Sequence, residues 1–109
     1  MDLVDLVYDV TESLPKSEGF GLTAQITRAA VSVPSNIAEG QARSTAKDFA
    51  NFLAIARGSL METGTLIAVA GRRRYITESE AESVQGRIEE ISKMLTSLRA
   101  KLGPRRGGY

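Results

Sequence analysis

The chain has 109 residues, of which 42% are apolar and 25% charged, with a net charge of +1; that is one globular domain's worth rather than a disordered chain. It contains no cysteine and no histidine. This excludes a disulfide framework, a thiolate zinc site and a cysteine nucleophile, and it removes the usual general base at neutral pH and the commonest metal ligand. No uninterrupted apolar run reaches the ~18 residues of a membrane span, and no basic-then-apolar leader opens the chain, so the chain reads as cytoplasmic and soluble; composition gives a class but no activity, and no cofactor is expected.

Hydrophobic periodicity divides the chain into four helices. The first runs from about Asp2 to Ser13 and carries Leu3, Leu6, Val7, Val10 and Leu14, with Pro15 forbidding much continuation. It is about half the length of the third helix, so a bundle built on it leaves the ends of its neighbours uncovered, unless the encoded start lies upstream or an oligomer covers the gap. The second begins near Leu22, after the Gly19-Phe20-Gly21 turn, and ends near Gly40–Ala42; its core stripe is Leu22, Ile26, Ala29, Val33 and Ile37. Pro34 removes one backbone donor and crowds the preceding turn. Because the apolar phase continues through it to Ile37, one kinked helix is expected. Arg28, Ser32, Ser35, Asn36, Glu39 and Arg43 fall within about 100° of arc beside that stripe, where side chains are partly buried and bond one another. Glu39 is spaced for a salt bridge to Arg43. Gly40 lies on the core line and permits close helix approach.

The third helix is expected from about Thr45 to Ala70, capped by Ser44 or Thr45 with Asp48 at the third position. Phe49, Leu53, Ala56, Leu60, Thr63, Ile67 and Ala70 form one stripe; Phe52, Ile55, Ser59, Glu62, Leu66 and Val69 form a second, roughly 100° away. A helix apolar on two faces is not a surface helix of a monomer. Phe52, Ile55, Ser59, Leu66 and Val69 are therefore candidate oligomer-interface residues. Arg57 and Glu62 are the only charges between Phe49 and Gly71, and Arg28 is the first candidate partner for Glu62, since desolvated charges persist when paired. In the fourth helix, Ala81, Val84, Ile88, Ile91, Leu95, Leu98 and Leu102 form a bundle seam. Thr77 and Glu80 fit a capping box at its start, and Gly103-Pro104 stops it. Linkers of roughly seven, three and six residues suit antiparallel neighbours. The sum is an all-α, antiparallel up-down four-helix bundle with a short first helix and a Pro-kinked second helix: one domain over residues 1–103 and a flexible basic tail over 104–109.

Charge is segmented beneath the small net value: residues 1–20 sum to −4, 21–76 to +4, 77–92 to −4 and 93–109 to +5. Helix-dipole matching and solvated faces account for the last two segments. The basic residues Arg28, Arg43, Lys47, Arg57, Arg72, Arg73, Arg74, Arg105 and Arg106 can neutralise phosphates, and repetition around an oligomer multiplies their field. Two readings compete for the polar residues Ser32, Asn36, Glu39 and Glu62. In one they are a structural network fixing helix register and the oligomer interface; in the other they belong to a groove where Arg28, Arg43 and Asn36 receive a phosphate or a partner's carboxylate. Asp48, Glu39 and Glu62 are weak metal candidates without histidine, and Ser59 has no base to activate it.

The run from Gly19 to Gly40, GFGLTAQITRAAVSVPSNIAEG, resembles the pattern E-x-F/Y-G-L-x-x-Q-I/L-x-R-A-A-x-S-I/V-x-x-N-I-A-E-G of four-helix-bundle proteins encoded in intervening sequences of bacterial 23S ribosomal RNA genes. The run from Lys47 to Glu62, KDFANFLAIARGSLME, is similar to that family's second string, and Tyr8-Asp9-Val10-Thr11 with Pro15 and Glu18 fits its lead-in. The detailed match covers roughly residues 7–76. It departs at the start, where relatives have another turn or two of first helix, and at Arg72-Arg73-Arg74, where relatives often have a less basic loop. The resemblance implies an antiparallel bundle that assembles as a ring, commonly a homopentamer. It extends to the accessory variability determinant of diversity-generating retroelements, a basic pentamer that binds nucleic acid and a reverse transcriptase. The expectation is therefore a non-enzymatic oligomeric scaffold, away from membranes, that binds RNA or DNA through Arg28, Arg43, Lys47 and Arg57, with Arg72, Arg73 and Arg74 auxiliary and a nucleic-acid-processing protein as a further expected partner. The alternative is a protein–protein interaction module whose polar residues serve only structure.

Overall fold

The computed structural model describes residues 2–102. Four helices follow one another: α1 (Asp2–Thr11), α2 (Leu22–Gln41), α3 (Ala46–Arg72) and α4 (Glu78–Ala100), with a 3-10 turn at Lys16–Glu18 and no strand among the described residues. α2 packs chiefly on α3, α3 on α4, and α1 against both α2 and α4, so the four close around one core in a body of 46 × 23 × 22 Å. The basic tail expected over 104–109 and the Gly103-Pro104 stop lie outside the described residues.

Each core stripe lands where its period places it. Leu3, Val7 and Val10 from α1, Ile26 and Val33 from α2, Leu53, Leu60 and Ile67 from α3, and Val84, Ile88, Ile91 and Leu95 from α4 are buried in one cluster. Removing one such leucine or isoleucine side chain from water contributes about 2 kcal/mol. Thr63, wholly buried in the α3 stripe, is tolerated because its hydroxyl donates to the Ser59 carbonyl at 2.8 Å. α2 runs unbroken through Pro34, as the continuous apolar phase requires.

The helix starts follow local chemistry. Thr45 Oγ1 accepts from the Asp48 N–H at the head of α3. At α4, Thr77 and Glu80 form both bonds of a capping box, a device worth about 1 kcal/mol. α3 ends differently. Arg74 N–H bonds the Gly71 carbonyl, Tyr75 N–H bonds the Ala70 carbonyl, and Arg74 sits at φ 62°. This is the left-handed cap that glycine normally occupies, so the arginine is held at a cost of about 1 kcal/mol.

Two expectations need correction. α1 ends at Thr11, two residues before Ser13; the Thr11 hydroxyl bonds the Tyr8 carbonyl, and successive turns bring Leu14 back into the core. The first linker is therefore ten residues long, spanning 12–21, rather than seven. By length and composition alone α3 is apolar enough to cross a membrane. Strict runs of apolar residues miss this because Arg57 and Glu62 interrupt a segment whose average is still apolar, and a bundle's core helix meets the same measure.

Candidate functional site

The α2–α3 contact carries the polar residues singled out by the sequence. Ser32 Oγ lies 2.8 Å from Ser59 Oγ across the two helices. Asn36 Nδ2 donates to the Ser32 carbonyl at 2.8 Å and to Ser32 Oγ at 3.0 Å. All three side chains are half-buried, so they form a hydrogen-bonded seam that fixes the register of one helix on the other. Ser59, expected at an oligomer interface, belongs to this seam within one copy.

One turn further along, α2 approaches α3 closely at Gly40. A Cβ there would stand 2.8 Å from Phe49 Cδ1 and 2.8 Å from Phe52 Cβ. Arg43 then folds over the same aromatic residue: its guanidinium lies 4.9 Å from the Phe52 ring centroid and 2.9 Å from Glu39 Oε2. The i,i+4 pair expected from spacing is formed, but both partners are about half exposed and it contributes well under 1 kcal/mol. Of the second α3 stripe, Phe52, Ser59 and Leu66 are half-buried by their own chain, whereas Ile55 is 52% and Val69 41% exposed.

The expected ion pair between Arg28 and Glu62 does not form. Both side chains are exposed with no salt bridge among the described residues. Their α-helical positions border the seam without pointing at one another, and in water neither needs a counter-ion. Glu62 is thus outside the polar network of Ser32 and Asn36, and Glu39 joins it only by adjacency. Arg57 is exposed too. No three carboxylates converge among the described residues.

The seven candidate basic residues do not form one patch. Arg43 and Lys47 sit at the α2–α3 turn, and Arg72, Arg73 and Arg74 sit at the far end of α3, roughly 37 Å away at ~1.5 Å per residue. Arg28 and Arg57 lie between. Of these seven, Arg43 alone forms a salt bridge among the described residues.

Two features escaped sequence reasoning. At the Arg72–Arg74 end, Glu18 holds two elements together: its Oε1 accepts from the Leu22 N–H at 3.3 Å, and its Oε2 accepts from the Tyr75 hydroxyl at 3.0 Å. It supplies the cap that Gly21, at the α2 N-cap position, cannot. The Arg73 guanidinium lies 5.7 Å from the Tyr75 ring centroid, and Tyr75, with a smaller effect from Glu18, raises its pKa further. A glutamate four residues before a helix start is a usable local signal; its tyrosine partner, 57 residues on, is not. At the opposite end, where α1 stops short, an apolar trough of about 940 Å³ opens between α2 and α4, floored by Leu3, Ile37, Ile91, Met94, Leu95 and Leu98. Asp2 and Arg87 bridge its rim at 2.8 Å.

Comparison with known proteins agrees with this architecture. The family model for 23S rRNA-intervening sequence protein matches residues 1–97. A crystal structure of a protein of unknown function from the S23 ribosomal protein family of Bacteroides thetaiotaomicron superposes with a TM-score of 0.77 at 29% identity, covering 91% of this chain and 89% of that one. No match is found among curated proteins.

Proposed function

From the premise that this chain belongs to the 23S rRNA-intervening sequence protein family, we propose that it is a non-enzymatic cytoplasmic scaffold, assembled as a homopentamer, that binds RNA or DNA alongside a nucleic-acid-processing protein. The observation that carries this reading is the location of charge. Arg28, Lys47, Arg57, Arg72, Arg73 and Arg74 are exposed and make no salt bridge among the described residues, so their charges are available to phosphates. The half-exposed Ile55 and Val69 on α3 support self-association, because a second copy is the simplest cover for them. Assembly would bring copies of the separated basic residues into one field.

A salt series tests the binding. Affinity for RNA or DNA should fall steeply as salt rises; no salt-sensitive binding to either at low ionic strength rejects the reading. Light scattering tests the assembly, with five times the 11.7 kDa chain mass expected. The Ser32–Ser59–Asn36 seam, whose bonds are made within one copy, favours a second reading, a protein-interaction module in which these residues are purely structural. Under it the assembly persists while salt-dependent nucleic-acid binding is absent.

A further inference from the structure

We infer that the end of the bundle carrying Phe20 and Arg72–Arg74 is a stacking site for single-stranded nucleic acid, with a base lying on the Phe20 ring and the neighbouring phosphates on the arginines. The inference rests on the nucleic-acid reading above and adds to it the kind of strand and the place.

Phe20 is 104% exposed, more than any other large apolar residue described. Folding gains nothing from this ring, and both of its faces are open. Its flanking residues are Gly19 and Gly21, so no neighbouring side chain shields it. The ring nevertheless stands on a fixed base. Gly19 N–H bonds the Lys16 carbonyl and Gly21 N–H bonds the Glu18 carbonyl, while Glu18 is itself tied to the α2 start and to Tyr75. That last bond joins the Phe20 turn to the loop bearing the three arginines.

The three arginines are exposed as well. None is salt-bridged among the described residues. Arg73 is oriented by the Tyr75 ring, which leaves its planar fork of donors able to take a phosphate in bidentate fashion. Arg74 holds the left-handed cap of α3 with its backbone, and its side chain is exposed.

An open ring at the same end of the bundle as three guanidinium groups matches a strand that offers both free base faces and phosphates. A duplex offers phosphates alone, because its bases are stacked on one another. An anionic membrane would also attract the arginines, but one ring supplies too little apolar contact for stable anchoring.

The test uses the full-length protein, fluorescein-labelled oligouridylate of about 12 nucleotides, and an RNA hairpin duplex of similar size. Phe20→Trp introduces the sole tryptophan of a chain that has none. Its emission should be quenched by oligouridylate, with affinity close to that of the unaltered protein. Phe20→Ala, remote from the core, should weaken oligouridylate binding roughly tenfold while leaving the salt slope and the circular dichroism spectrum unchanged. Combined Arg72→Ala, Arg73→Ala and Arg74→Ala should flatten the salt slope by about two units. If the unaltered protein binds no nucleic acid, the proposed function fails and this site with it. If it binds but Phe20→Ala is silent, Phe20→Trp emission is unmoved or the duplex binds equally well, the stacking site alone is overturned. A blue shift of Phe20→Trp on phosphatidylglycerol vesicles without quenching by oligouridylate overturns it in favour of a membrane surface.

Discussion

At the end where Glu18 meets Tyr75, the bundle is closed by polar bonds between segments far apart in sequence. At the other end, where Asp2 meets Arg87, the core is left partly open. Among the described residues the two ends differ in what covers the core. α2, α3 and α4 have 20, 27 and 23 residues, and α1 has 10. Toward the 3-10 turn α1 covers the fourth side, and at the other end Ile37, Met94, Leu95 and Leu98 look into a trough. The closed end leaves Phe20 and the three arginines exposed, outside its own apolar packing. An open end exposes groups that belong to the core.

Truncating Leu3 should sharpen this contrast most. It is fully buried although it lies at the mouth of the trough, so Leu3→Ala should lower unfolding free energy by about 3 kcal/mol in urea titration. A loss below about 1 kcal/mol would mean that the first turn of α1 is not docked as described. Tyr75→Phe should cost about 1 kcal/mol, since it removes one hydroxyl bond to a carboxylate that keeps its second partner. Asp2→Asn should change stability by less than about 0.5 kcal/mol, an effect erased by added salt, because Asp2 is largely exposed beside Arg87.

Most of the fold was legible because its determinants are local. The Leu53–Ala56–Leu60–Thr63–Ile67 stripe is a 3.6-residue period, the Thr77–Glu80 box spans one turn, and the Glu39–Arg43 pair lies one turn apart. Gly40 was legible as a point of close approach because it interrupts the apolar line of α2 without ending the helix. What failed depended on how helices are rotated against each other. Pairing Arg28 with Glu62 assumes that a charge in an apolar stripe is buried, but that stripe alternates between half-buried Phe52, Ser59 and Leu66 and open Ile55, Glu62 and Val69. The Ser32–Ser59 and Glu18–Tyr75 bonds join residues 27 and 57 positions apart, and no local pattern connects them. The complete exposure of Phe20 was equally invisible, since an aromatic beside a helix start reads as a staple into the core.

Gly40 also governs which parts of the molecule can move. With Phe49 and Phe52 seated against a backbone that leaves no room for one more carbon atom, α2 and α3 cannot slide or roll past each other without first parting. The pair behaves as one plank, and breathing falls to α1, whose ten residues are too few to stay helical alone. Amide protons of α1 should exchange with solvent deuterium well before those of α2 and α3, and each time α1 lifts, the trough lengthens into a cleft along the whole side of the bundle.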